Sequence, residues 1–441
     1  MPKASRPSLA VAVPKSAFGA PLRWYHQLVW SGLRLLVRLL YPLHVEGAHL
    51  IPRSGPALII APHMCYSDSM PFLYASLPRP PRFIGSAFFI LANAPVSWLM
   101  FLGGAVPLYK HRPDTEAIRK ILRLLAGGDV VALFPEGERS WAGVPQDLLT
   151  GSARLISRLK VPIYLAQIEG SYDHWPRWDD VPRWRPVTVR FSGPLSLPRI
   201  PAQSGHEPGS RPCWWHAVYR RGSRIEAASA GDALSKLFRD ATRGEDARLD
   251  LSHRGRFGRV PRLICFCPEC GGIRSTAHDN RFACPDCGAA WSPAPNGALL
   301  RVGTSVPVQP RLLSDVFVDM LATLRTRVTT CLPLKETVFV SVMGNDDAAP
   351  ARGHAVLDRS GLAVTTDTRA WHVTLEDAAD GPVEGCMVIE VHATDGTALS
   401  LRTETGALRL VLAACALCEP QRSRFVGTTP PDMQIAEQNH A

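Results

Sequence analysis

His63 and Asp68 stand five positions apart in the run His63-Met-Cys-Tyr-Ser-Asp68, directly after the apolar stretch Ala-Leu-Ile-Ile-Ala at 57–61. An imidazole titrates near neutral pH, so it can take the proton from an alcohol as that alcohol attacks a thioester. A carboxylate beside it fixes the tautomer and stabilises the imidazolium. The attacking hydroxyl is itself the nucleophile, so this chemistry needs no covalent enzyme intermediate. The spacing is not unique, because His174 and Asp179 repeat it. His174 lies in a Trp-rich stretch with no strand before it and no matching block after it, so its match reads as coincidental.

A second block, Phe134-Pro-Glu-Gly-Glu-Arg-Ser140, also follows an apolar run, Val-Val-Ala-Leu at 130–133. Gly137 lets backbone approach a ligand closely, and the planar fork of Arg139 suits phosphate oxygens. Between the blocks, Gly103 to Arg112 sets Lys110 and Arg112 after an apolar run. These pieces need a scaffold of buried strands. Runs at 57–61, 130–134 and 161–166 read as strands, and 115–127 and 147–159 as helices. Such alternation predicts an α/β domain with a mixed or parallel sheet.

In these blocks the chain resembles the glycerolipid acyltransferase family that includes lysophosphatidic acid acyltransferases. Four family blocks match in order: His63 to Asp68, Gly104 to Lys110, Phe134 to Ser140, and Val161-Pro162-Ile163. The resemblance covers residues 22–200. It implies that His63 is the general base and Asp68 its partner. It also implies that Glu136, Gly137, Arg139 and Lys110 hold the glycerol phosphate of the acceptor. The co-substrate it implies is an acyl thioester, acyl-coenzyme A or acyl carrier protein. The chain departs from the family pattern twice. Glu138 stands where Thr is common, which adds a negative charge beside Arg139, and Lys110 stands where Arg is common.

Cys267-Pro-Glu-Cys270 and Cys284-Pro-Asp-Cys287 form a second constellation. Two Cys-x-x-Cys turns at this separation predict a tetrahedral, structural Zn²⁺ site with no open position. Cys265 reads as a neighbouring thiol, and Cys415-x-x-Cys418 as core. Arg262, Arg274 and Arg281 surround the cluster, but Glu269, Asp279 and Asp286 dilute them, so no nucleic-acid partner is expected.

The whole chain has 441 residues, 46% hydrophobic and 20% charged, with a net charge of +10. That length predicts two or three domains. The expected division is a flexible tail over 1–20, an acyltransferase domain over 21–235, and a linker over 236–258. A zinc ribbon over 259–298, a β-rich C-terminal domain over 299–425 and a disordered tail over 426–441 complete it. The C-terminal pattern of short strands and a final helix is compatible with a small barrel or sandwich of pleckstrin-homology type. Residues 22–41 read as a helix with a basic stripe of Arg23, Arg34 and Arg38, and Trp and Leu elsewhere. That composition suits a bilayer interface, and packing on the domain's own core is the competing reading. No apolar stretch reaches 18 residues and the first 20 do not read as an export signal. The expectation is a peripheral enzyme on the cytoplasmic face of a membrane, with membrane lipids and an acyl donor as partners. Two alternatives remain at this stage: a docking or lipid-binding protein of the same fold without activity, and transfer to a different hydroxylated acceptor.

Overall fold

The computed structural model describes residues 13–20, 24–91, 94–108, 114–146, 148–196, 236–238, 240, 248–272, 276–278, 281–303, 308–343, 349–380, 383–384, 387–404 and 406–425. The chain divides into two compact units. The first holds residues 1–204 and 223–249, the second 205–222 and 250–441.

Seven strands make the sheet of the first unit: β1 (Leu43–Glu46), β2 (Ala57–Ile60), β3 (Pro81–Ser86), β4 (Val106–Leu108), β5 (Val130–Leu133), β6 (Ile163–Glu169) and β7 (Val187–Ser192). Their order is β1-β7-β6-β2-β5-β3-β4. All neighbours are parallel except β6 and β7. The mixed α/β sheet expected from the sequence is therefore present.

Strands β2 and β5 are buried on both faces, which is why each reads as an unbroken apolar run. Ala57, Ile59, Val130 and Ala132 face one core with Phe72, Tyr74 and Phe191. Leu58, Ile60, Val131 and Leu133 face the other, with Ile121, Leu124 and Leu125 of the helix Thr115–Ala126. That helix starts where the Asp114 side chain accepts the Ala117 N–H at 3.1 Å, a cap that satisfies an otherwise orphaned donor. Because β2 and β5 are adjacent and in register from Ala57↔Val130 to Ile60↔Leu133, the segments after them leave the same sheet edge together. Such edges gather ligand-binding residues in parallel sheets.

Helix α1 (Trp24–Leu40) buries His26 and Val37, and Trp30 and Leu33 pack against the core. The Trp30 Nε1–H donates to the Tyr74 carbonyl at 3.2 Å. The rest of its apolar surface faces outward: Trp24 is 73% exposed and Leu39 74%, with Leu28, Leu35, Leu36 and Leu40 also exposed. Among the described residues no helix is long and apolar enough to cross a membrane. Arg23 lies outside the described residues.

The composition of residues 1–20 suggests a loose tail, but 13–20 are packed. Val13 and Phe18 are buried, the Val13 N–H donates to Ser97 Oγ at 3.1 Å, and Lys15 Nζ binds Asp114 at 2.8 Å. Two apolar side chains with core partners outweigh the surrounding polar residues, which a composition average hides.

The second unit contains a five-stranded antiparallel sheet, β8 (Thr276–His278), β9 (Arg281–Ala283), β10 (Ala290–Ala294), β11 (Ala298–Val302) and β12 (Arg311–Leu312). A further seven strands follow: β13 (Leu334–Val342), β14 (Ala351–Asp358), β15 (Gly361–Thr366), β16 (Ala370–Val373), β17 (Val383–Glu384), β18 (Val388–His392) and β19 (Ala398–Thr403). They pair antiparallel in the order β16-β15-β14-β13-β19-β18-β17. The closing helix Leu408–Phe425 packs its buried Leu408, Val411, Leu412 and Cys415 within this unit. The boundary expected between 298 and 299 falls inside β11. The first cysteine turn is seated on the helix Leu313–Arg327, where Thr323 Oγ1 donates to the Pro268 carbonyl at 2.5 Å and the Phe266 N–H to Met320 Sδ at 3.4 Å. The linker expected at 236–258 is described only in part.

Candidate active site

The segment after β2 turns sharply so that Asp68 folds back under His63. Asp68 Oδ2 lies 3.1 Å from His63 Nδ1 and accepts the backbone N–H groups of Met64 at 2.6 Å and Cys65 at 2.7 Å. The Cys65 thiol donates to Asp68 Oδ1 at 3.3 Å. Asp68 is fully buried, while the His63 side chain keeps 19% exposure. A buried carboxylate is tolerated only with donors around it, and this loop supplies them from its own backbone. Burial, with the Asp68 carboxylate next in weight, holds the Cys65 thiol well above its usual range. The thiol is therefore a neutral hydrogen-bond donor here, not a nucleophile.

The block after β5 packs beside this loop. The His63 ring stacks on Phe134 with centroids 4.3 Å apart and planes at 25°. The Ser140 N–H donates to the His63 carbonyl at 2.8 Å. Glu136, only 2% exposed, points inward. Its Oε1 accepts the His63 N–H at 3.1 Å and its Oε2 the Gln146 N–H at 2.9 Å. As placed, Glu136 clamps two backbone segments, a different task from the phosphate contact expected of it, and one suited to an anionic acceptor among N–H donors. Gly137 has φ +77°, and a Cβ there would stand 2.4 Å from Leu149 Cδ1. The positive φ favours glycine, while the half-exposed Leu149 side chain can shift to make room.

Arg139 is 6% exposed, and its guanidinium lies 3.3 Å from the Tyr66 ring centroid, stacked across the gap between the two blocks. The Gln146 side chain donates to the Arg139 carbonyl at 2.8 Å. The structure thus brings His63, Asp68, Glu136, Gly137 and Arg139 together. Lys110 lies outside the described residues.

Residues outside the four blocks complete the surroundings. His174 is buried, 1% exposed, and its Nε2 meets Ser67 Oγ at 3.3 Å. Its ring packs edge-on to Tyr41 and Phe72 at 5.4 and 5.1 Å. Its Nδ1 meets the Arg183 carbonyl, so the ring bonds Ser67 and Arg183, and the histidine supports the turn that carries Asp68. Arg177, Trp141 and Tyr172 also back the second block. Their pairing depends on the chain returning after β6, and only the density of aromatic residues at 172–178 signals it in the sequence.

The four expected cysteines converge in the second unit. Their sulfurs all lie within 4.8 Å of one another, with Cys267 to Cys287 and Cys270 to Cys284 at 3.7 Å. A tetrahedron with Zn–S bonds of about 2.3 Å has edges of about 3.8 Å, so the donor set fits a zinc ion. Each turn closes the same way: the Gly271 and Gly288 N–H groups donate to the Cys267 and Cys284 carbonyls at 2.9 Å. Both glycines have positive φ. Cys265 is buried and is not among the clustered four.

Part of the chain is similar to known acyltransferases. The 1-acyl-sn-glycerol-3-phosphate acyltransferase LPAT1, chloroplastic, of Arabidopsis thaliana is 28% identical over 128 residues, 27% of this chain and 34% of that protein. The 1-acyl-sn-glycerol-3-phosphate acyltransferase BAT2, chloroplastic, of Brassica napus is 23% identical over 155 residues, 34% of this chain and 44% of that protein. The chain thus spans under half the length of these curated relatives. Among solved structures, the 1-acyl-sn-glycerophosphate (LPA) acyltransferase PlsC from Thermotoga maritima aligns with a TM-score of 0.32 and 18% identity, over 49% of this chain and 76% of that one. Residues 42–168, which hold His63, Asp68 and the Phe134–Ser140 block, match the family model described as Acyltransferase, and these findings support an acyltransferase domain there.

Proposed function

We propose that the first unit is an O-acyltransferase that moves a fatty acyl group from a thioester donor to a lysophosphatidic acid-like glycerolipid acceptor. The observation that carries the reading is the His63–Asp68 pair at 3.1 Å, with Asp68 buried and His63 partly exposed. With Nδ1 engaged by Asp68, Nε2 is the nitrogen that takes the proton from the acceptor hydroxyl. The alkoxide oxygen adds to the thioester carbonyl, the C–S bond breaks, and the departing thiolate takes the proton back from the imidazolium. Asp68 stabilises the imidazolium between these steps. Arg139, held on Tyr66, supplies charge for the acceptor phosphate, with Lys110 as its partner from the second block. The donor is acyl-coenzyme A or acyl carrier protein.

The substrate lives in a bilayer, and the exposed apolar face of α1, flanked by Arg34 and Arg38, supports peripheral binding to the cytoplasmic face of a membrane. The cysteine cluster holds a structural Zn²⁺ that stabilises the second unit. A screen of lysolipid acceptors with labelled acyl-coenzyme A and acyl carrier protein donors, read by lipid mass spectrometry, tests the reading. It expects a diacyl product with at least one phosphate-bearing acceptor. No transfer to any acceptor would favour a docking or lipid-binding protein of this fold.

A further inference from the structure

Glu138 stands one residue before Arg139, so a bare carboxylate would face any anion that Arg139 holds. The structure supplies a counter-charge from outside the blocks. Arg177, 2% exposed, sets its Nη1 3.1 Å from Glu138 Oε2 and donates to the Arg139 carbonyl at 3.2 Å. Its guanidinium also lies 4.2 Å from the Trp141 ring centroid. Tyr172 holds that tryptophan in turn, donating its hydroxyl to the Trp141 carbonyl at 2.8 Å, and Trp178 Nε1–H donates to the Tyr172 hydroxyl at 3.0 Å. Arg177 is thus fixed against the block by a carboxylate, a carbonyl and an aromatic face. The three charged side chains Glu138, Arg139 and Arg177 leave the cluster one positive charge.

We propose that Arg177 is a specificity-determining positioning residue. By neutralising Glu138 and holding the Arg139 backbone, it makes this site select an acceptor that carries a phosphate over an uncharged one. The inference rests on the reading of Arg139 as the phosphate-binding residue. It does not require that transfer occur, because it concerns recognition.

The test measures equilibrium binding by calorimetry to the full chain, without acyl donor. The probes are a short-chain, monomeric lysophosphatidic acid and the matching monoacylglycerol. Wild type should bind the phosphate ligand more tightly. Arg177→Gln should weaken the phosphate ligand on the order of tenfold to a hundredfold. Removing one nearby unit charge at an effective dielectric of ~20 produces a change of that order. The monoacylglycerol should change far less. Arg177→Lys should recover part of the preference, and the double variant Glu138→Gln/Arg177→Gln most of it. If Arg177→Gln does not fold, Glu138→Gln alone decides: it should tighten the phosphate ligand and leave the other unchanged. Parallel weakening of both ligands, or a wild type with no preference for phosphate, would overturn the proposal. A chain that binds the phosphate ligand as expected but shows no turnover would instead sink the transfer reading and leave this inference standing.

Discussion

Glu136 offers a sharp quantitative prediction, because each of its two oxygens accepts a backbone N–H, one part-buried and one buried. Replacing it by alanine leaves the His63 and Gln146 N–H groups without their acceptors at 3.1 and 2.9 Å. An unsatisfied buried donor costs about 1–3 kcal/mol, so Glu136→Ala should destabilise the first unit by about 2–6 kcal/mol. For a unit of this size each kcal/mol lowers Tm by about 2–4 °C, which predicts a fall of at least about 4 °C. Glu136→Gln keeps one acceptor and turns an amide NH₂ toward the other N–H, so it should lose roughly half as much. Activity should fall with stability, since the same bonds hold the His63 backbone and, through Gln146, the Arg139 carbonyl. The assay is thermal unfolding by circular dichroism beside acceptor-dependent kinetics. A Glu136→Gln protein with unchanged Tm and a raised acceptor KM would refute the clamp and return Glu136 to a ligand contact.

Three further outcomes follow from other parts of the chain. Metal analysis of protein purified without chelators should find one zinc per chain, and Cys267→Ser should make residues 260–295 sensitive to proteolysis. A triple variant Leu28→Glu/Leu35→Glu/Leu39→Glu on the exposed face of α1 should keep its Tm yet lose co-sedimentation with anionic vesicles. Substitution is the better test than truncation here, because Val13, Phe18 and Val37 are core residues. Cys65 should resist thiol reagents at pH 8. Its folded pKa is raised above the unfolded value of about 8.5, so its contribution to stability is complete below that pH and declines as pH rises beyond it. A Tm that did not fall on going from pH 8 to pH 10, or rapid modification of Cys65 in the native protein, would contradict this.

Strands β2, β5 and β6 and the His63–Asp68 pair were legible because their causes are local, whereas β1, β3, β4 and β7 were not read. An apolar run buried on both faces betrays itself by composition, and a five-residue turn brings its own two ends together. The cysteine cluster was legible for the same reason within each Cys-x-x-Cys turn. The inward role of Glu136 was not, because its first partner is a backbone N–H 73 positions away, and a main-chain donor leaves no mark in a sequence. Arg177 was equally silent, since it reaches Glu138 only after β6 returns the chain to the sheet edge. The spacing of His174 to Asp179 mimics the site, but its ring bonds Ser67 and the Arg183 carbonyl, a supporting role that the spacing does not signal. The extent of the cysteine region was misjudged because the strand β11 and the helix under the first turn are ordinary amphipathic segments with no signal for which neighbour they join.

The central claim is that His63 is the base for acyl transfer, and the direct test is His63→Ala in the lysolipid assay with labelled thioester donor. The side chain is partly exposed, so the variant should fold with near-normal Tm. Loss of a general base costs roughly 10²–10⁴ in rate, and the account predicts a kcat lower by that factor. A folded His63→Ala protein that turns over at a near-normal rate would contradict it.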